Sequence, residues 1–255
     1  MRFDAMMNHS GHAPMMVLLP GLDGTGKLLG DFVRQLSSRI DTQIIPYPTD
    51  RPLGYRELES HVRERLPQNR PFFLLAESFS GPIAIRIAAY RPDALLGVVL
   101  VGSFAKNPYP LWAWAGPLLA RLPLKSLPRW VRAPLMWGSR SPSQAPPKLE
   151  RAIAGVSAAV IRRRIRAVFE VDETNALSQI TLPILTIHAG HDRVIPKAAG
   201  LHLLRGLPGA THVEIAGPHL LLQTQPAECA EQVVRFIQSV ESIRGRANHP
   251  STGSQ

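Results

Sequence analysis

The chain has 255 residues, 45% hydrophobic and 19% charged, enough for one large core with an inserted subdomain but not for two independent domains, and it is neither a mini-protein nor a disordered chain as a whole. Its longest strongly apolar stretch, Leu95 to Ala105, is far short of the roughly twenty residues a membrane-crossing helix needs, and no basic segment leads into an apolar one at the N-terminus, so the chain reads as neither membrane-integral nor exported. The formal charge of +10 is concentrated between Ser103 and Ser178, where twelve Lys or Arg face four carboxylates, and the lone Cys229 excludes an internal disulfide and suits a reducing cytoplasm.

Short apolar runs, turns marked by Gly or Pro, and amphipathic stretches alternate along the chain, the rhythm of an α/β fold with a mostly parallel sheet flanked by helices. The runs Met15–Leu19, Gln43–Tyr47, Phe72–Ala76, Gly97–Val101, Ile184–His188 and Thr211–Ile215 are expected as strands, apolar on both faces as a parallel sheet requires. Helical spacing covers Lys27–Arg39, Tyr55–Arg65, Pro82–Tyr90, Lys197–Leu204 and Pro226–Glu241. The alternation stops near Ser103 and resumes near Leu182. That interval is rich in proline, holds all four tryptophans and the arginine cluster, and carries apolar spacing at Ile153, Val156, Val160, Ile161, Ile165 and Phe169. It reads as an inserted helical cap over residues 103–181 between two parts of one core, 14–102 and 182–243. Residues 1–13 and 244–255 read as flexible tails.

Strand Phe72–Ala76 runs through Glu77-Ser78-Phe79-Ser80-Gly81 directly into a helix. A serine on so tight a turn takes strained backbone angles, and the turn closes only when its neighbours two before and two after are small; here they are Ala76 and Ser80, followed by Gly81. A serine hydroxyl attacks an acyl group near neutral pH only if a histidine takes its proton and a carboxylate orients that histidine. After strand Ile184–His188, the turn Gly190-His191-Asp192-Arg193 presents Asp192; after strand Thr211–Ile215, Gly217-Pro218-His219 presents His219. Asp192 has no rival after the strand preceding the cap, because no carboxylate occurs between Asp93 and Glu150. Of nine histidines, His219 alone occupies the required loop. The candidate catalytic residues are Ser78, Asp192 and His219, in that order.

Two rival readings are weak. Gly21-Leu22-Asp23-Gly24-Thr25-Gly26-Lys27 matches the start of a phosphate-binding loop, but Leu28 stands where a hydroxyl should hold Mg²⁺. A nucleic-acid binder using Arg162-Arg163-Arg164-Ile165-Arg166 rests on charge alone. No cofactor and no metal is expected, for the sequence holds no clustered His/Cys spacing, and no specific nucleic acid is expected as a partner.

Over roughly residues 14 to 240, the elbow and the Ser, Asp, His order resemble the α/β-hydrolase superfamily. The resemblance implies a serine hydrolase cleaving carboxylic esters through an acyl-enzyme. It implies an oxyanion hole of two backbone N–H groups at positions matching Phe79 and Leu22, the latter in Pro20-Gly21-Leu22-Asp23-Gly24-Thr25-Gly26, where many relatives have His-Gly for Pro20-Gly21. A cap over the strand ends would choose the substrate, with Trp112, Trp114 and Leu118 suggesting an apolar acyl pocket. Arg162, Arg163 and Arg166 would grip an acidic handle. In charge placement the cap is similar to that of pimeloyl-acyl-carrier-protein methyl ester esterases, which implies an acidic acyl carrier protein as a partner and leaves thioesterase chemistry open. The loop is also similar to that of phytyl-ester synthase-type acyltransferases, which leaves transfer to an alcohol open.

Overall fold

Strand-length runs without a polar face can be satisfied only inside a layered sheet. In the computed structural model, which describes residues 13–111, 136 and 145–248, six such strands pair in parallel. They are β1 (Met15–Leu19), β2 (Asp41–Ile44), β3 (Phe72–Glu77), β4 (Leu95–Val101), β5 (Ile184–Ala189) and β6 (Thr211–Ile215), in the order β2-β1-β3-β4-β5-β6. Every residue of β3 and β4 is buried. At the two edges the apolar requirement relaxes: β2 and β6 are largely half-buried or exposed. This is why β2 begins at polar Asp41 rather than at Gln43. It ends at Ile44, with Pro46, which has no N–H for a ladder, just beyond.

The described helices are α1 (Gly30–Leu36), α2 (Tyr55–Arg63), α3 (Gly81–Tyr90), α4 (Ala145–Ala154), α5 (Ala158–Glu170), α6 (Thr174–Leu177), α7 (Lys197–Gly206), α8 (Leu221–Thr224) and α9 (Pro226–Asn248). Helices α1 and α9 cover one face of the sheet, where Phe32, Leu36, Val233 and Ile237 pack with Met16, Leu18, Phe73 and Leu75. Helices α2, α3 and α7 cover the other, where Leu58, Ile83, Ile87 and Leu203 join Val17, Leu74 and Leu100. β1 is therefore followed by a helix on one face and its neighbour β3 by a helix on the opposite face.

The helix boundaries that depart most from the sequence reading are those of the first and last helices. The first expected helix opens as a 3-10 turn, Lys27–Leu29, and α1 ends at Leu36. Helix α9 continues through Arg244 to Asn248, where a flexible tail was expected. Gly245, the one weak helix former in that turn, costs only about 1 kcal/mol, and no proline intervenes before Pro250. Between β4 and β5 run α4, α5 and α6; an isolated bridge between Lys106 and Asp172 joins the two ends of this segment, and Leu149 and Ala152 pack against Leu28 and Leu220 of the core. No described helix is long and apolar enough to cross a membrane.

Candidate active site

The elbow follows from local sterics. Ser78 adopts φ +48°, a left-handed conformation that is uncommon outside glycine, in a 3-10 turn spanning Ser78–Ser80. The turn is clamped from the segment just after β4: Ser103 Oγ donates to the Ser78 carbonyl at 2.8 Å, and Gly81 N–H donates to the same oxygen. A Cβ at Gly81 would lie 1.7 Å from Ser103 Oγ, so only glycine lets the two segments approach. Ser80 is fully buried, with its hydroxyl donating to the Pro20 carbonyl and hydrogen-bonded to the Tyr47 hydroxyl. Burial holds the Tyr47 phenol well above its ordinary pKa, so it stays neutral.

Three predicted residues meet at the ends of three strands. Ser78 Oγ lies 2.9 Å from His219 Nε2, and His219 Nδ1 lies 2.8 Å from Asp192 Oδ2. The other carboxylate oxygen of Asp192 accepts from the backbone N–H groups of Val194 and Ile195, both at 2.8 Å. These donors fix the carboxylate. It in turn selects the imidazole tautomer protonated at Nδ1, leaving the Nε2 lone pair to accept from the serine hydroxyl. His219 is buried, Ser78 half-buried.

The loop after β1 is unusually well engaged. Gly24 N donates to the Gly21 carbonyl at 3.0 Å, which turns that carbonyl toward Gly24 and leaves the N–H of Leu22, on the same peptide plane, directed the other way. Gly24 and Gly26 have φ +70° and +72°. Asp23 caps the turn by accepting from Thr25 N at 2.9 Å. Phe79, whose N–H is the other expected donor, anchors its ring by stacking on Tyr55 at 4.8 Å and meeting Tyr47 edge-on.

Two side chains at this site escaped the sequence reading. Arg164, read as one of a basic run, is only 1% exposed. Its Nη1 donates to the carbonyls of Leu22 at 2.9 Å and Asp23 at 2.7 Å, and its Nη2 to that of Pro48 at 3.0 Å. The signal was in the helical phase: Val160, Ile161, Arg164 and Ala167 form one buried stripe of α5. Glu77, next to Ser78, is also buried, and accepts from Gln223 Nε2 at 2.8 Å. Burial, helped by the charge of Asp23, raises its carboxyl to about 7, while the Gln223 hydrogen bond, His219 and the Gly21 N–H pull the other way. An acid closing an otherwise apolar strand is the sequence signal for it.

Other predicted residues are less engaged. Arg162 is exposed, while Arg163 and Arg166 pair with Glu170 at 3.3 and 2.6 Å. Trp112, Trp114 and Leu118 lie outside the described residues. A cavity of about 120 Å³ lies beyond Asp192, lined by Ser103, His188, His212 and Glu214 among others, but not by Ser78 or His219. Burial, then the neighbouring His212, lowers His188 to about 4, so it is neutral there.

The parallel sheet and the strained serine turn leading into α3 define an α/β-hydrolase fold. The chain belongs to the serine aminopeptidase S33 family, whose model matches residues 55–217, and it is accordingly a hydrolase of the α/β-hydrolase superfamily. Over 247 residues it is 26% identical to "Putative carbamate hydrolase RutD" of Pseudomonas syringae pv. syringae (strain B728a), covering 88% of this chain and 94% of that one. A 97-residue stretch is 31% identical to phytyl ester synthase 2, chloroplastic, of Arabidopsis thaliana; it covers 35% of this chain and only 14% of that relative's length. The crystal structure of the enol-lactonase from Burkholderia xenovorans LB400 shares the fold with a TM-score of 0.78 at 18% identity, over 91% of this chain and 94% of that one.

Proposed function

We propose that this hydrolase is a carboxylesterase that works through an acyl-enzyme on Ser78. The observation that carries the reading is the continuous relay from Ser78 Oγ through His219 to Asp192 at 2.9 and 2.8 Å, centred on a positive-φ turn. Ser78 Oγ attacks the ester carbonyl as His219 Nε2 takes its proton, and Asp192 stabilises the imidazolium that forms. The oxyanion sits between the N–H groups of Leu22 and Phe79. Collapse expels the alkoxide, which receives the proton from His219, and water then repeats the sequence on the acyl-serine.

Residues 103–181 serve as a cap on a core of 14–102 and 182–243 and choose the acyl group. A carrier-linked methyl ester or thioester is the alternative substrate, gripped through Arg162, Arg163 and Arg166; because Glu170 offsets the latter two, Arg162 is the strongest contact. Acyl transfer to an alcohol is the third outcome, favoured by the name of the phytyl ester synthase relative.

The test is labelling with a fluorophosphonate followed by peptide mapping, alongside turnover of p-nitrophenyl esters of graded acyl length and of acyl-carrier and CoA thioesters. Covalent adduct on Ser78 and preference for a neutral ester are expected. Asp192→Asn is expected to lower turnover by roughly 10⁴-fold by leaving the imidazole in the wrong tautomer. A label on another serine, or full activity in Asp192→Asn, would reject the relay.

A further inference from the structure

We infer that Arg164, carried by α5, is a positioning residue for the oxyanion hole, holding the loop of β1 so that the Leu22 N–H faces the reacting carbonyl. The inference rests on the esterase reading above and names a residue that reading does not use. A buried guanidinium is costly unless its donors are satisfied. Among the described residues Arg164 forms no ion pair with a carboxylate; its two Nη atoms donate to three neutral backbone carbonyls, two of them consecutive in the loop, while its buried Nε has no hydrogen-bond partner. With Arg164 in place, every carbonyl from Pro20 to Gly24 has a donor: Ser80 Oγ for Pro20, Gly24 N for Gly21, Arg164 for Leu22 and Asp23, and Tyr47 N for Gly24. Five consecutive peptide planes are thus fixed, and the one carrying the Leu22 N–H is fixed on both sides.

The fit is close. A Cβ at Gly24 would lie 2.3 Å from Arg164 Nη1, so the loop's bare backbone is what admits the guanidinium. The guanidinium carbon also stands 5.5 Å from the centre of the Tyr47 ring, whose hydroxyl meets Ser80 beside the nucleophile. With both Nη atoms engaged on carbonyls, Arg164 is a poor substrate clamp and a good loop brace. Because α5 lies between β4 and β5 and the loop follows β1, the alignment of the hole depends on how the intervening segment is seated on the core.

The experiment compares Arg164→Met and Arg164→Lys with the parent protein on a p-nitrophenyl ester and on its thionoester. In the thionoester the developing charge falls on sulfur, a larger and weaker hydrogen-bond acceptor, which gains less from aligned N–H donors. Arg164→Met is expected to lower kcat on the oxygen ester by on the order of ten- to a hundredfold, a fraction of what complete removal of one donor costs. KM is expected to change little and the thionoester rate to fall less, so that the ratio of the two rates shrinks. Arg164→Lys is expected to fall between, since one ammonium cannot span three carbonyls, and ethylguanidinium is expected to restore part of the oxygen-ester rate to Arg164→Ala. Equal losses on both substrates, an unchanged kcat, or failure of all three variants to fold would each overturn the inference and leave Arg164 a merely structural link. If the parent protein itself is not labelled at Ser78, it is the esterase reading that falls.

Discussion

The two loops that flank Ser78 are held in opposite ways. The elbow after β3 is closed by its own neighbours and by the residues that follow the adjacent strand: Gly81 admits Ser103, whose hydroxyl holds the Ser78 carbonyl. The loop after β1 is held from a distance, by Arg164 more than a hundred residues further along the chain. A turn closed by adjacent segments folds with the sheet. A turn braced by a side chain from another segment acquires its geometry only once that segment is seated, which makes it the natural place for substrate-dependent adjustment.

The contrast can be broken most severely at the elbow. Ser78→Ala should lower ester turnover by about 10⁵–10⁶-fold with the melting temperature unchanged, read by initial rates and thermal unfolding; a melting temperature lower by more than a few degrees would mean the hydroxyl is structural. Gly81→Ala should destabilise the protein by about 1–3 kcal/mol in thermal or urea unfolding, since the added methyl meets Ser103 Oγ at 1.7 Å and the Phe104 carbonyl at 3.2 Å. Gly24→Ala should divide the effect differently. Its positive φ costs about 1 kcal/mol or somewhat more, but the added methyl displaces the far end of Arg164, so kcat should fall more than stability. If both glycine variants lose stability and kcat in the same proportion, the two loops are not held differently.

The smallest effect is expected where the loops touch. A Cβ at Gly21 would lie 3.4 Å from Glu77 Oε2, so the buried acid bridges elbow and loop. Its folded pKa, about 7, lies above the ordinary 4.5, so the unfolded chain releases this proton first. The stability it contributes is present below pH about 4.5 and is lost as pH rises through about 7. Glu77→Gln should remove that slope: the variant's melting temperature, relative to the parent's, should rise by a few degrees between pH about 5 and about 8. A constant difference across that range would show that Glu77 is ionised throughout.

What the sequence disclosed follows the same division. The demands on Ala76, Ser80 and Gly81 act within a few residues of Ser78, so the elbow could be read from its neighbours, and Asp192 and His219, which the structure brings to Ser78, were singled out by the strand ends that carry a carboxylate and a histidine. The six strands were legible as apolar runs, except where edge strand β2 needs only one buried face and so begins in polar residues. Arg164 was obscured because composition treats Arg162, Arg163, Arg164 and Arg166 alike, although three point outward or are half-buried and one points in. Only the phase of the helix separates them, and nothing local says which carbonyls an inward arginine would meet.

The register of β1 on β3 has a consequence for the width of the site. Leu19 pairs with Ala76, and both Leu22 and Phe79 stand three residues beyond that last pair. The two strands are neighbours, about 4.8 Å apart, yet their following helices depart to opposite faces, so the chain opens like a zipper at its end stop. The gauge between the Leu22 and Phe79 N–H groups is therefore written in the backbone ladder. Side chains on either loop can tilt the donors or shield them, but widening the gap would mean slipping a strand, which a buried parallel sheet resists. In the proposed esterase, an oxyanion hole calibrated in this way can accept new pockets around it over evolutionary time while its own calibre stays constant.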